Sequence, residues 1–405
     1  MEEFKIFTQA LNIQHPWYID KLEYKDGSFG SELHIYLNHK KRVKFEYENE
    51  LYSVYDHQSR KWQHLDFFEH RCYLHADVPR VKTKDNKVKL VSVPWSGPGS
   101  SFTLLFESKA IELVKNGMSM SKAGKTLRIS DKRIFGIINR WVSTALVNQR
   151  LSPVKHLSLD ETSSKKGHNY LTILCDRKAK KVVGIAEGKD KNAVNEALIS
   201  MEIRGADKEE VRVVTMDMSK SYISASTEYM ENAEIVFDRF HIVKKMNEAV
   251  DNIRKQEQAI CKEAFKKSKY LWLKNSNKLT EEQKEKVASL SKSYPNIGEA
   301  YRLKELLKQV LDQAYQDHRL KWLNQWIKEA LKADLEPINK FVKMLHNHWY
   351  GVKTYFKRLV TNAYAERVNL KIQEIKRIAK GYRNTNNFIL MIYFHLGGLD
   401  LSKPT

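Results

Sequence analysis

Over the first 98 residues hydrophobic and polar positions alternate in short runs, as in ELHIYLN, RVKFEYE and HRCYLHADVPRVKT, and the runs stop at the turn-rich PWSGPGS. A period of two fits half-buried strands, so residues 1–98 are expected to form a small β-rich N-terminal module. From Phe102 the period lengthens to that of helices. The stretch SMSKAGKTLRISDKRIFGIINRWV, within residues 99–150, reads as two helices around a short turn at Arg128, Ile129 and Ser130. Ser130 is placed to cap the second helix, and Ala123 and Leu127 to pack on Ile134, Ile137 and Ile138, while Lys132, Arg133 and Arg140 stay outside. This is a helix-turn-helix pattern. An ordinary helical hairpin with a solvated basic face fits the same residues, because the turn lacks the customary glycine.

After Pro153 the runs KHLSLDE, YLTILCD and KVVGIAE follow one another as an antiparallel meander would. A helix near 191–201, the strand VRVVTMDM, a helix beginning at Ser219 and the strand AEIVFDRFHI come next. Three strands followed by strand-helix alternation match a ribonuclease-H-like mixed α/β (α+β) sheet flanked by helices. Its first part is expected at 151–249. Between about Ile242 and Lys353 the strand signals cease, and amphipathic segments such as EAFKKSKYLWLKN and LKWLNQWIKEALK predict an all-helical insertion over 250–350. The core would resume over 351–405 with a long helix.

Composition sharpens this picture. With 42% hydrophobic residues and only 16 Gly and 8 Pro in 405, the chain has material for a large, mostly helical core. Lys and Arg number 70 against 49 Asp and Glu, a net charge of +21, which points to a polyanionic partner. A membrane surface is the competing polyanion, but no run of 18 apolar residues exists. The start MEEFKIFTQAL lacks a basic n-region and a cleavage site, so a cytoplasmic protein acting on nucleic acid, with no membrane partner, is expected. Cys72, Cys175 and Cys261 are too scattered for a disulfide framework.

Cleavage of phosphodiesters by two divalent ions requires carboxylates that converge on one point, and hard cations require oxygen ligands. Asp160 follows the apolar Leu157 and Leu159, and Asp217 follows VVTM, so both end predicted central strands. Glu366, in TNAYAERVNLKIQEIKRIAKGYRN, is the candidate third ligand from a helix crossing that sheet. Val368, Ile372, Ile375 and Ala379 form the buried stripe of this helix, whereas Asn369, Gln373, Arg377 and Lys380 share the polar face with Glu366. That face could present a metal ligand first and phosphate contacts further along. From 336 to 383 eleven basic residues face three acids, as DNA charge would demand. Each Asp taken singly fits a turn or helix cap better than a metal ligand; it is their joint placement that points to a metal site. In FDRFH, Asp238 and His241 are three apart, a spacing that suits a brace behind the site, a transition-state donor, or a plain salt bridge.

LSLDE, MDMSKSY, FDRFHIVKKMNEA, YLWLKN, NAYAERVN and IKRIAKGYRNTNNFILMIYFHLGG together resemble the ISL-three group of insertion-sequence transposases, and HLDFF, HRCYLHADVPRVK and VPW extend the resemblance over essentially the whole chain. The resemblance implies a DDE core in which Asp160, Asp217 and Glu366 hold two Mg2+ or Mn2+, with Asp238 and His241 as an accessory pair. It also implies that Trp272, in the helical insertion, stacks on a DNA base near the cleaved end; a place in the helical core fits that residue as well. Two departures stand out. The stretches RVKFEYENELYSVYDH and RVKTKDNKVKL lack the cysteine pairs of the family's zinc-binding module, so zinc is not expected, and His57, His64, His70 and His75 are poor substitutes without thiolates. Arg367 occupies a position where the family commonly has glycine, and either adds a phosphate contact or impairs activity.

The expected function is therefore DNA transposition: binding of terminal inverted repeats, hydrolysis at the element end and direct strand transfer. Lys132 and Arg133 stand nearest the bases, and Arg140, Arg367, Gln373, Arg377, Lys380 and Arg383 join Trp272 as DNA contacts. Double-stranded DNA is the partner, held by a homodimer or larger synaptic assembly. The rival readings are a domesticated transposase or repressor that binds without cutting, and a plain nuclease of the same fold.

Overall fold

In the computed structural model, residues 4–27, 30–165, 167, 169–312, 316–358 and 363–402 are described. They form two compact units, one of residues 1–149, 375–381 and 393–405, the other of 150–374 and 382–392. Mixed α/β architecture, expected from the two hydrophobic periods, is found in both units.

In the first unit α1 (Lys5–Ala10) precedes β1 (Trp17–Gly27), β2 (Gly30–His39), the hairpin β3 (Phe45–Tyr47) and β4 (Glu50–Tyr52), β5 (Val54–Phe67), β6 (His70–Lys82) and β7 (Val88–Leu90). The sheet runs β1-β2-β6-β5, with β7 paired to β6 and with β2 and β6 parallel. Alternation puts Leu33, Ile35, Leu37, Cys72, Leu74 and Trp62 on one buried face. Three helices follow: α2 (Leu104–Lys115), α3 (Met120–Thr126) and α4 (Asp131–Asn148). Ser130 caps α4 as expected, its hydroxyl accepting from the Arg133 amide. Ala123, Ile134, Ile137 and Ile138 are buried together. Arg128 takes the left-handed conformation that glycine customarily fills, with φ +53. Gly124 supplies the close approach instead: a Cβ there would stand 2.7 Å from the Ile129 carbonyl oxygen.

Arg140 departs from expectation. Rather than facing outward, it is ion-paired with Glu107 of α2, a fully buried carboxylate that also accepts from the Trp141 indole at 2.7 Å. A buried carboxylate needs a cation and donors, and Arg140 provides the cation. It belongs to the joint between α2 and α4, not to a free basic surface.

In the second unit β8 (His156–Lys165), β9 (Asn169–Asp176) and β10 (Lys181–Glu187) form an antiparallel meander. Then come α5 (Lys191–Glu202), β11 (Val213–Met216), α6 (Lys220–Tyr229) and β12 (Glu234–Phe237). The sheet order is β10-β9-β8-β11-β12, and β11 runs parallel to both of its neighbours. Helix α5 presses on β10 at Gly184, where a Cβ would collide with the Ala197 carbonyl. From α7 (Arg239–Ile260) onward everything is helical: α8 (Lys269–Leu273), α9 (Glu281–Ser293), α10 (Pro295–Asp312), α11 (Gln316–Lys332), α12 (Glu336–Asn347), α13 (Trp349–Arg358), α14 (Ala363–Ile378) and α15 (Thr385–Leu396). No helix among the described residues is long and apolar enough to cross a membrane.

Trp272 is the second departure. It is 0% exposed, packed edge-on against Tyr301 at 5.8 Å, and its carbonyl accepts from the buried Lys304 ammonium at 2.9 Å. Such burial makes it a core residue of the helical segment, which leaves no ring face for a base.

Candidate active site

Three neighbouring strands bring three aspartates into one row: Asp160 midway along β8, and Asp217 and Asp238 just past the ends of β11 and β12. Thr215 of β11 is opposite Ser158 of β8, so two residues on, Asp217 stands level with Asp160. Met216 is opposite Phe237 of β12, so one residue on, Asp217 also stands level with Asp238. Parallel neighbours lie about 4.8 Å apart, so the row runs from the central β8 to the edge strand β12, at the carboxyl ends of β11 and β12. For β11 and β12 the sequence cause is local: Asp217 and Asp238 directly follow short strands that end in buried residues, whereas Asp160 lies midway along β8, which continues to Lys165, so the expectation that a strand ends at Asp160 is not met.

Each carboxylate is held locally. Asp160 Oδ1 accepts from the Glu161 amide at 2.8 Å, Asp217 Oδ1 from the Ser219 amide at 2.9 Å, and Asp238 Oδ1 from the Phe240 amide at 3.1 Å. Asp238 thereby caps α7 and is buried, so capping and membership of the row coexist. His241, half-buried, sets its ring edge-on to Phe240. Burial pushes the Asp160 carboxyl up to about 7, opposed by the Glu161 amide and reinforced by the charges of Asp217 and Asp238. A site that makes a carboxylate hard to ionise alone is one where a cation is wanted. The donor set, hard oxygens on adjacent strands, fits divalent ions.

Helix α14 reaches this row through Asn369, whose amide donates to Asp160 Oδ2 at 2.8 Å. Gln373, one turn on, donates to Thr162 Oγ1 at 2.9 Å. Sequence reasoning placed both on the polar face of the helix but assigned neither to β8. The available signal was their spacing of four, matched to the spacing of two between Asp160 and Thr162 on one strand face. Gln373 thus has a partner within the protein, where a DNA contact was expected. Glu366 sits one turn before Asn369, exposed. Among the described residues no three His, Cys, Asp or Glu side chains stand close enough together to hold a metal. Residues 359–362, directly before α14, lie outside the described residues.

Against this geometry, three family models match. One described as "Transposase" covers residues 157–392, the stretch that carries the aspartate row and α14. The chain belongs to the ISL3 transposase family. A model of the helix-turn-helix domain of transposase family ISL3 covers 91–142, and one of a zinc-finger of related transposases covers 49–85. A Mycobacterium tuberculosis protein, the transposase for insertion sequence element IS1557, is 25% identical over 375 residues, 85% of this chain and 83% of the relative. The transposase for IS1001 of Bordetella parapertussis is 23% identical over 348 residues, 84% of this chain and 85% of the relative.

The zinc-finger match falls on residues that do not fit the metal. Cys72 is the one cysteine of that stretch; it lies inside the sheet core, where burial pushes its thiol up to about 12. The two cysteine-free stretches are joined by an ion pair of Glu50 with Lys84, and Tyr52 donates a hydrogen bond of 2.6 Å to Glu50. His57 is bonded to His39, His64 to Thr103 and His75 to His34. His70 packs its ring edge-on against Tyr24. Of the expected DNA contacts, Lys132, Arg133, Arg367, Arg377, Lys380 and Arg383 are exposed.

Proposed function

We propose that this family member binds the terminal inverted repeats of its element and performs strand cleavage and transfer at Asp160, Asp217 and Glu366. The observation that carries the reading is the level row of Asp160, Asp217 and Asp238, with Asn369 of the helix of Glu366 tied to Asp160. The strand order, an antiparallel meander followed by two parallel strands, suits a ribonuclease-H-like core over 151–249, interrupted by a helical insertion over 250–350 and completed over 351–405.

Asp160, Asp217 and Glu366 would hold two Mg2+ or Mn2+. Ions bound there make water nucleophilic and neutralise the leaving oxygen. The chain itself supplies position and charge. Asn369 and the Glu161 amide orient the Asp160 carboxylate, Asp238 fixes the start of α7 beside it, and His241 is the donor next in line. Water attack on the end phosphodiester breaks the P–O3′ bond and frees a 3′ hydroxyl. That hydroxyl then attacks a target phosphodiester, exchanging one P–O bond for another without a protein-linked intermediate. Residues 1–98 and the helix-turn-helix of 99–150 would hold the repeats, α4 entering the major groove with Lys132 foremost. Holding two ends together requires a dimer or larger assembly.

A repressor-like reading draws on one observation, that among the described residues no three carboxylate, His or Cys side chains are gathered closely enough to hold a metal. Nicking and strand-transfer assays on an end-containing duplex with Mg2+ separate the readings. The proposal expects nicked and joined products that disappear in Asp217→Ala while end binding persists. Binding without cleavage by the wild type favours the repressor, and nicking without joining a plain nuclease.

A further inference from the structure

The sheet of the first unit has a second face to which the proposed function assigns no residue. Opposite the buried face, the register places Lys21 against Tyr36 on β1 and β2, His34 against Tyr73 and Tyr36 against His75 on β2 and β6, and Lys61 against His75 on β5 and β6. The four rings tile this face: Tyr36 stacks on His75 at 4.8 Å, His75 meets His34 at 5.0 Å, and His34 stacks on Tyr73 at 5.4 Å. A 2.8 Å hydrogen bond between His34 Nδ1 and His75 Nε2 locks the middle of the row. Lysine head groups lie over the ends of it. The Lys61 ammonium is 3.7 Å from the centre of the Tyr73 ring, and Lys25 donates to the Tyr36 hydroxyl at 2.9 Å.

These cations are ordered before any ligand arrives, which lowers the entropic cost of a contact. Glu23 pairs with Lys21 and Lys25, but among the described residues Lys61 has no carboxylate within ion-pair distance. Both histidines are held below their ordinary values, chiefly by burial, with Glu32 3.4 Å from His34 opposing the His34 shift, so the tiles are neutral; Glu23 and Glu32 offset part of the positive charge, and Lys61 carries the part left unpaired by any carboxylate among the described residues.

The tiled face is fixed to the helix-turn-helix. The amide of Gln63 on β5 donates to the Ser101 carbonyl at 2.9 Å, and the Thr103 amide donates back to Gln63 at 3.0 Å, directly before α2. From α4, Arg133 lies over Phe102 at 4.2 Å and donates to Ser101 Oγ at 3.0 Å, within electrostatic reach of Tyr73. The start of α4 and the Lys61 end of the tiled face therefore adjoin within one unit.

We propose that this tiled lysine face, led by Lys61 and Lys25, is a second DNA contact that grips the sugar–phosphate backbone of the same duplex whose major groove takes α4. The inference rests on the end-binding reading above and names the surface that would extend it. Charge complementarity favours duplex backbone. A single strand would need open ring faces to stack on, and here the rings are covered by one another and by lysines.

The test uses the full chain, an end-containing duplex and a single strand of the same sequence, comparing wild type with Lys25→Ala/Lys61→Ala. Thermal unfolding of the variant confirms that it folds. Hydroxyl-radical footprinting of the wild type should show the α4 site plus protected backbone on one flank, and the variant should lose the flank alone. Duplex affinity should fall about tenfold near physiological salt, and the slope of log affinity against log salt should shrink by about two, roughly one for each phosphate left without its lysine. An unchanged flank and slope in the folded variant overturn the proposal while leaving end binding intact. So does a loss confined to the single strand. A wild type that protects no end sequence overturns the end-binding reading and this surface with it.

Discussion

Replacing Asp160 by asparagine should make the metal-free protein more stable while abolishing DNA cleavage. The carboxyl is raised from 3.8 to about 7, mainly by burial, with Asp217 and Asp238 adding to it. Between these values the folded state keeps a proton that the unfolded chain has lost. Wild-type stability in EDTA therefore falls as pH rises from about 4 to about 7 and levels off above. At about 1.4 kcal/mol per unit the full shift corresponds to roughly 4 kcal/mol, and partial exposure of the side chain reduces this to about 2–3 kcal/mol. An asparagine in its place has no proton to lose. It does have a single carbonyl to offer, so it can serve either the Glu161 amide or Asn369 but not both, a pH-independent loss of about 1 kcal/mol. Urea unfolding of both proteins at pH 5 and pH 8 in EDTA isolates the electrostatic part as a difference of differences. The advantage of Asp160→Asn should grow by about 2 kcal/mol between the two conditions. An advantage that stays constant or shrinks with pH would refute the claim that Asp160 sits in a carboxylate-crowded, poorly solvated row.

Three further outcomes are expected. Trp272→Ala should cost about 3–5 kcal/mol in urea unfolding, as for other fully buried aromatics, and a variant that stays stable yet loses DNA binding would restore the stacking role. Arg140→Ala leaves the Glu107 carboxylate buried without its cation and should destabilise the first unit by about 3–5 kcal/mol, whereas Lys132→Ala should leave unfolding unchanged and weaken DNA binding; equal stability of the two variants would contradict the distinction. Prolonged chelation should leave the circular dichroism and melting temperature unaltered, with elemental analysis giving far less than one zinc per chain; a stoichiometric zinc whose removal unfolds the protein would show that ligands other than thiolates have taken over.

What could be read from the chain and what could not follows from how local the causes are. The aspartate row was partly legible because VVTMD and IVFD repeat one local device, a buried strand end followed by a carboxylate, and parallel pairing sets them level; that β8 runs on past Asp160 to Lys165 was not foreseen. The helix starts at Ser130 and Ser219 and the extent of α5 were legible for the same reason. Arg140 was not, since its partner Glu107 lies 33 residues earlier and looks, in isolation, like a surface acid. Its position beside Phe106 and one turn before Ala110 and Ile111, on the buried side of α2, was the clue. Trp272 was legible only as an alternative, because burial in the helical segment depends on Lys304 and Tyr301 from another helix. Position 366 was legible as a place on a helix face, but how near that face brings the carboxylate to β8 depends on the crossing of α14, which no local pattern encodes.

The most direct test of the account is to locate Mn2+ by anomalous scattering in the protein bound to its element-end DNA. Two peaks about 3.5–4 Å apart, bounded by the carboxylates of Asp160, Asp217 and Glu366, are expected. A single peak, or peaks with the Glu366 side chain directed elsewhere while the DNA end is seated, would contradict it.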